Sequence, residues 1–451
     1  MTDDGHLIWA TPPASYATRN LKPWKLRGKD VLLYNNLHYL NKTAAVAYGT
    51  VVILDDTYTI LYNVTLQDPD LNPIFPGHHT SLMDSHEALI TADNTLLVVT
   101  TNATRWDLSP VGGPSDGWLR DSILYELDID TNEVIYRWRA SDDIPITWSK
   151  APLGSRYGDG TSKALAWDAF HVNSLDDFED GYMVSARNCW LGAFVRKSAG
   201  RMVWRIEGSG GGSFKLDPRA AFSWQHDMRL KTDSVTGGVV MHMINNRNSK
   251  PGSSETGTNG LVMDLNLATR TATLRQIFED AAHPAYAWHA GSLAWSPGAH
   301  AFLSYGSEAR MQEFDDTGTP VYELSYGIPD VGHSTRGYRH MWRGFPTRGP
   351  DAVACRRSGG GDVHVFMSWN GATEYTHWSV YDASSEDFVA FPMARVQRTG
   401  FETHAVVATR TDLILVEASG GQDPRSTTRR SDAIVVLADC QASGVDVESG
   451  V

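Results

Sequence analysis

Histidine recurs in this sequence in one kind of setting, beside an aromatic or acidic residue and just ahead of an alternating apolar run. MDSHEALI carries His86, WDAFHVNS carries His171, WQHDMRL carries His226, WHAGSLAW carries His289 and GYRHMWRG carries His340, with His404 of THAVVAT in a similar place. An unperturbed imidazole titrates near neutrality, so several brought into one cavity would serve as general acids and bases. His171, His226 and His289 are the catalytic candidates. Asp168, three residues before His171, is the carboxylate placed to orient an imidazole, and Asp227 is a second one beside His226. His86 and His340 are read as substrate contacts. Trp224, Trp288, Trp342 and Trp369 lie beside these histidines or on the same runs, as does Trp295. Indole offers a flat apolar wall with one polar edge, which suits an aromatic or polycyclic ligand. Each of these residues would equally well cap a strand or fill a core, so the case rests on their convergence.

Convergence requires a repeated architecture, and the sequence has one. A short β-rich run, a turn of Asp, Thr, Ser, Asn or Gly, and a second run recur at TVVILDDTYTILYNV, LYELDIDTNEVIYRW, FVRKSAGRMVWRI, LVMDLNLATRTATLRQIF, MQEFDDTGTPVYELSY and HWSVYDASSEDFVAF. This is the hairpin signal. Further alternating runs between the hairpins bring each unit to four strands, and a period of this size marks repeated units that bury their faces against one another. The expectation is all-β: a single six-bladed β-propeller over residues 1–451, with four-stranded antiparallel blades around a central channel. A strand near GHLIWA or DVLLYNN is expected to join the blade containing DAIVVLAD and close the ring.

The formal net charge of -14 disfavours nucleic acid as a partner. No apolar run reaches the roughly 18 residues of a membrane-spanning helix. Sequons at Asn41, Asn63 and Asn102 point to the secretory pathway and to a glycoprotein, with a signal segment absent from the chain as written. Of three cysteines, Cys355 and Cys440 are expected to bridge, leaving Cys189 as a small buried group. No HExxH or similar ligand spacing is present, GSGGGS lacks the Lys-Ser/Thr ending of a phosphate loop, and no G-x-S-x-G elbow occurs. Neither a metal nor another cofactor is expected. No feature fixes an oligomeric state.

Taken together, DSHEALIT, VGGPSDGWLRDSILYELDIDT, WDAFHVNSLDD, MVSARN, WQHDMRL and MSWNGATEYTHW resemble the fungal arylsulfotransferase-like family, distantly similar to bacterial arylsulfate sulfotransferases. The resemblance implies a six-bladed propeller whose channel histidine carries a sulfuryl group transiently, and it maps that histidine onto His171 and a sulfate-binding one onto His226. Two departures stand out: Asn188 replaces a histidine in MVSARN, and Asn259 stands for an arginine in TNGLVMDL. Asparagine supplies only neutral hydrogen bonds to an anion. On that ground the resemblance points to the family's hetero-Diels-Alderase members, joining a tropolone- or phenol-derived o-quinone methide to a humulene-type terpene. Asn188 and Asn259 would then donate to the tropolone oxygens, and a histidine would assist dehydration. Nucleotide-independent aryl sulfotransfer is the alternative, and a non-catalytic ligand-binding propeller a third reading.

Overall fold

A computed structural model describes residues 1–11, 17–41, 46–250, 256–328, 332–357, 361–383 and 391–440. They form two compact units, one of residues 15–53 with 60–340, the other of residues 1–14, 54–59 and 341–451.

The larger unit is a propeller-like succession of five small sheets. The first is β1 (Ala17–Leu26), β2 (Lys29–Asn41), β3 (Val46–Leu54) and β4 (Ile60–Val64). The second is β5 (Ala88–Ile90), β6 (Leu96–Trp106), β7 (Gly117–Leu127) and β8 (Val134–Arg139). Next come β9 (Val172–Phe178), β10 (Gly181–Ala186), β11 (Leu191–Arg196) and β12 (Arg201–Glu207). The fourth sheet sets β13 (Lys215–Leu216) outside a meander of β14 (His226–Thr232), β15 (Val239–Asn245), β16 (Asn259–Asn266) and β17 (Thr271–Phe278). The fifth is β18 (Ser292–Ala294), β19 (Ala301–Ser304), β20 (Arg310–Phe314) and β21 (Pro320–Ser325).

Alternation along the strands explains the stacking. On β6, Leu96 and Val98 pack with Leu33, Val51 and Ile53 of the first sheet. Leu97 and Val99, pointing the other way, pack with Tyr182, Val184 and Ala193 of the third. Middle strands covered on both faces read as continuous apolar runs, and all nine residues of β3 are buried. Outer strands have one covered face, so β21 alternates.

The count of six blades is corrected to five. In the smaller unit, β22 (Asp351–Arg356), β23 (Asp362–Ser368), β24 (His377–Asp382), β25 (Ala394–Gln397), β26 (Glu402–Ala408), β27 (Leu413–Ser419), β28 (Arg429–Arg430) and β29 (Ile434–Leu437) merge into one eight-stranded sheet. β24 pairs with β25, which follows the expected sixth hairpin, and residues 384–390, where the turn and most of the second run of that hairpin are expected, lie outside the described residues. The other edge of β24 takes β27, so the meander is broken. The expected closing pair does not form either. DVLLYNN lies within β2 between β1 and β3, GHLIWA forms no strand, and β29 of DAIVVLAD pairs with β22 and β27. Cys355 and Cys440 are bridged, with an S–S distance of 2.06 Å, and Cys189 is buried. Of the sequons, Asn63 is exposed, whereas Asn102 is buried and hydrogen-bonded to Asn72 and Thr104, a position that presents no glycan. The side chain of Asn41 lies outside the described residues. Among the described residues no helix is long and apolar enough to cross a membrane.

One buried carboxylate ties the first strands of the sheets together. Glu87, fully buried, accepts from Lys22 of β1 at 3.2 Å, from Arg229 of β14 at 2.8 Å and, through both of its oxygens, from Arg336 Nη1 at 2.7 and 2.8 Å. Asp227 completes the cluster, 2.6 Å from Arg229 and 3.5 Å from Arg336. Burial opposes charge on Glu87, yet Arg229, Arg336 and Lys22 hold its carboxyl well below the usual range. Burial pushes Lys22 down to about 8, against the pull of Glu87. Removing one partner from such a cluster strands charge in a dry interior, at about 3–5 kcal/mol. Glu87→Gln is therefore expected to lower the urea midpoint of unfolding by that much stability without a change in slope. An unchanged midpoint would show that the cluster does not hold the strands.

Candidate functional site

Four of the histidine motifs sit where the chain turns into the first strand of a sheet, and these turns meet. His86 precedes β5, His171 precedes β9, His226 opens β14 and His289 precedes β18. Several residues here hold left-handed backbone, with φ of +52° at His171, +55° at Trp224 and +58° at Ala290. Side chains other than glycine rarely keep this conformation unless their surroundings impose it. The surroundings do so at Gly306, where an added Cβ would stand 2.4 Å from the His289 carbonyl oxygen. That close approach lets the Trp288 N–H donate to Ser307 Oγ at 3.0 Å and clamps the segment bearing Trp288 and His289.

The result is a cavity of about 280 Å³. His86, Asp168, His171, His226, Trp288 and His289 all line it. So do Arg19, Arg156, Arg187, Arg336 and Tyr157, which the motif reading did not select.

The histidines differ in their partners. His171 Nδ1 lies 2.6 Å from Asp168 Oδ2, and His86 Nδ1 is hydrogen-bonded to Asp84 Oδ1. The two rings meet edge-on, 4.6 Å between centroids. Behind them Arg120 stands 3.8 Å from Asp84 and 3.6 Å from Asp168, so one buried guanidinium backs both His–Asp pairs. Burial disfavours charge on Asp168, but Arg120 and His171 hold its carboxyl well below its ordinary value. Burial pushes His171 down to about 4 against the pull of Asp168, aided by His86 and Arg187. With Nδ1–H given to an ionised carboxylate, the Nε2 lone pair of a neutral imidazole is left for chemistry.

His226 has no such freedom. Asn246 donates through Nδ2 to the carbonyls of Ala287 and Ala290 at 3.3 and 3.1 Å, which turns its Oδ1 toward His226 Nδ1 at 2.7 Å. Nδ1 must then carry the proton, and Nε2 accepts from the Ala290 N–H at 3.1 Å. Both nitrogens are occupied, so His226 braces the wall rather than reacting. Burial, then Arg187, lowers its pKa well below the ordinary value. His289 is held by rings, edge-on to Trp288 at 4.0 Å and stacked on His333 at 5.2 Å, and burial pushes it down to about 3.

Arg187 changes the electrostatic reading of the site. It is 4% exposed and, among the described residues, forms no salt bridge. It donates to Asn188 Oδ1 at 3.0 Å and to the Trp288 carbonyl at 3.1 Å, and lies 4.9 Å over the Trp224 ring. Among the described residues, its Nε–H and the Trp288 Nε1–H are buried donors with no acceptor. The premise that asparagines leave this site without fixed positive charge therefore does not hold.

Asn188 donates to the Asp168 carbonyl at 2.7 Å while accepting from Arg187, so it fixes two site residues and is not itself on the cavity wall. Asn259 opens β16, 3.5 Å from Glu279 Oε2, and is also away from the wall. Trp224 backs the site, stacked 6.3 Å from Tyr157 and edge-on to Trp190. His340 is followed by no strand and lines a second cavity of about 720 Å³ with Trp295 and His242. Trp342 and Trp369 belong to the smaller unit, donating to Tyr58 Oη at 2.9 Å and to the Arg348 carbonyl at 2.7 Å. His404 stacks on His364 and Phe366 in that unit. Among the described residues no group of three or more His, Cys, Asp or Glu side chains is placed to hold a metal.

Comparison with known proteins places a family model described as Arylsulfotransferase (ASST) on residues 22–327. No curated protein matches the sequence. Solved structures with a similar course include virginiamycin B lyase from Staphylococcus aureus, at 7% identity over 80% of this chain and 86% of that one, with a TM-score of 0.33. A putative 6-phosphogluconolactonase from Bacteroides uniformis matches at 10% identity over 90% of this chain and 96% of that one, with a TM-score of 0.36.

If His226 braces the wall, removing it leaves the Ala290 N–H and Asn246 Oδ1 buried and unpaired, at about 1–3 kcal/mol. Chemical denaturation of His226→Ala should register that loss. Unchanged stability would mean that the two bonds are not made.

Proposed function

Since the chain belongs to the arylsulfotransferase family, we propose that its cavity moves a sulfuryl group from an aryl sulfate to a phenol, with His171 as the transient carrier. The observation that carries this reading is His171, its Nδ1 2.6 Å from Asp168, on the same wall as Arg187, which among the described residues forms no salt bridge. Arg187 and the free Trp288 N–H receive the sulfuryl oxygens. His171 Nε2 attacks sulfur, the S–N bond forms, and the S–O bond to the donor arene breaks with its electron pair on the leaving oxygen. Asp168 offsets the positive charge that develops on the imidazole. His86, ring to ring with His171 and fixed by Asp84, gives the leaving phenolate its proton. In the second half the acceptor phenol returns a proton to His86, its oxygen attacks sulfur, and the S–N bond pair returns to Nε2. Protons and charge balance over the cycle, and no other reactant is consumed.

A cavity of about 280 Å³ suits one single-ring arene at a time, as alternating half-reactions require. It lies just below the usual span of ligand pockets, roughly 300–1,000 Å³. That size does not favour holding a tropolone and a humulene-type terpene together, so cycloaddition is not the reading adopted. Nothing in the scheme needs secretion; the Cys355–Cys440 bridge suits an oxidising compartment, which we propose as its location.

His171→Ala is expected to abolish transfer from 4-nitrophenyl sulfate to phenol, and His86→Gln to slow it by about 10²–10⁴-fold. Rapid quench and mass spectrometry of the wild type without acceptor should find one sulfuryl group on the peptide containing His171. Because folded His171 is pushed down to about 4, the acidic limb of the rate profile should fall as pH drops through about 4, where Nε2 binds a proton. Full activity in His171→Ala would overturn the assignment.

A further inference from the structure

Sulfuryl transfer at His171 accounts for one unpaired arginine, and the cavity has three. Arg19, Arg156 and Arg187 all line it, and among the described residues none is within ion-pair distance of a carboxylate. The one carboxylate on the wall, Asp168, is taken by His171 and Arg120. In a chain with 53 acidic and 39 basic side chains, unpaired arginines gathered in one place are not background.

Their depths differ. Arg187 is buried, whereas Arg156 is exposed at the mouth. Both reach Trp288, Arg187 at its backbone carbonyl and Arg156 over its indole at 5.4 Å. Arg156 also lies 4.9 Å over the Tyr157 ring and donates to its hydroxyl at 2.8 Å. Two cations thus stand one aromatic residue apart, one inside and one outside, with aromatic faces between them.

Building on the sulfuryl-transfer reading, we propose that the substrates are anionic arenes: aryl sulfates and phenols that carry a second negative group, a carboxylate or sulfonate, on the far side of the ring, where Arg156 holds it. The transferred sulfuryl lies against Arg187, the ring lies along Trp288 and Tyr157, and the second anion meets Arg156, with Arg19 adding positive charge. Guanidinium suits both planar carboxylate and sulfonate oxygens, and its aromatic stacking keeps the fork in place without a protein carboxylate.

The test separates binding from turnover. Isothermal titration compares 4-sulfobenzoate with benzenesulfonate, two unreactive probes that differ by one carboxylate. The dianion is expected to bind about 10- to 100-fold more tightly, the span of a charge-assisted hydrogen bond. Arg156→Gln should cut the ratio to within about 3-fold, and Arg156→Lys should restore part of it. Transfer from 4-nitrophenyl sulfate to 4-hydroxybenzoate and to phenol should show the same preference in kcat/KM. Equal binding of the two probes, or a ratio untouched in Arg156→Gln, overturns the proposal. A clear dianion preference with no transfer to either phenol would support this subsite while refuting sulfuryl transfer. Transfer to both phenols with no preference in binding would do the reverse.

Discussion

The buried charge cluster at Glu87 is the constraint on which the site depends. A carboxylate taken out of water costs several kcal/mol unless its lone pairs are met by well-placed charge, and here Lys22, Arg229 and Arg336 meet them from three parts of the chain. Each cation arrives on or beside a strand that faces the middle of the propeller-like unit, so satisfying Glu87 fixes those strands against one another. Glu87 is also the residue after His86, and Arg336 uses its remaining edge on the carbonyls of His86 at 3.1 Å and Asn173 at 2.9 Å. The anchor and the cavity floor are therefore one network. Asp176, pushed up to about 6 by burial against the pull of Arg229, lies at its margin and titrates without removing the central pairs.

What each cavity histidine does follows from its partner. Carboxylates behind His86 and His171 polarise the rings and leave one nitrogen of each toward the cavity. The amide behind His226 fixes a tautomer and, with the Ala290 N–H, consumes both nitrogens. Four imidazoles of similar sequence setting thus divide into two equipped for proton or group transfer, one structural brace, and His289, held by ring stacking. Asn188, which stands where the family pattern has a histidine, is one step behind the wall. Its amide couples Arg187 to the turn that carries Asp168, so the substitution alters support and leaves the cation in place.

The sequence made the hairpins legible because each is set by a local turn and by alternation, and five of the six lie in successive sheets. The sixth failed for a physical reason: a hairpin signal specifies the nearest strand pair and says nothing of what takes the other edge. In the smaller unit that edge goes to β27, some thirty residues on, and eight strands merge. Histidine ahead of an inner strand proved a good locator when a strand follows, as for His86, His171, His226 and His289, and a poor one at His340. Trp342 and Trp369 show that an aromatic beside a histidine gives no address. The arginines were missed although Arg187 lies inside the MVSARN motif, next to the asparagine that was read as a loss of charge. Burial and the absence of a carboxylate partner distinguish it from other arginines, and neither is written in residue type.

Those arginines act on the histidines as well as on any anion. Burial lowers the pKa of His171 and His289 first, and Arg187 adds to both, with Arg19 and Arg156 adding at His289. Burial and Arg187 keep His171 neutral, the state in which its Nε2 is a nucleophile. A sulfate ester, the proposed substrate, would bring negative charge that offsets the same guanidinium groups, and the ring next to it would then tolerate positive charge more readily. In the proposed transfer, positive charge is what the imidazole would acquire as the S–N bond forms, with Asp168 already ionised behind it. In that scheme, binding the anion and readying the carrier are one electrostatic event. Because the groups lie inside a partly enclosed cavity, salt screens them less than it screens the acidic outer surface, where the Debye length is about 8 Å at physiological ionic strength. Capture at short range therefore outweighs repulsion by a chain of net charge -14.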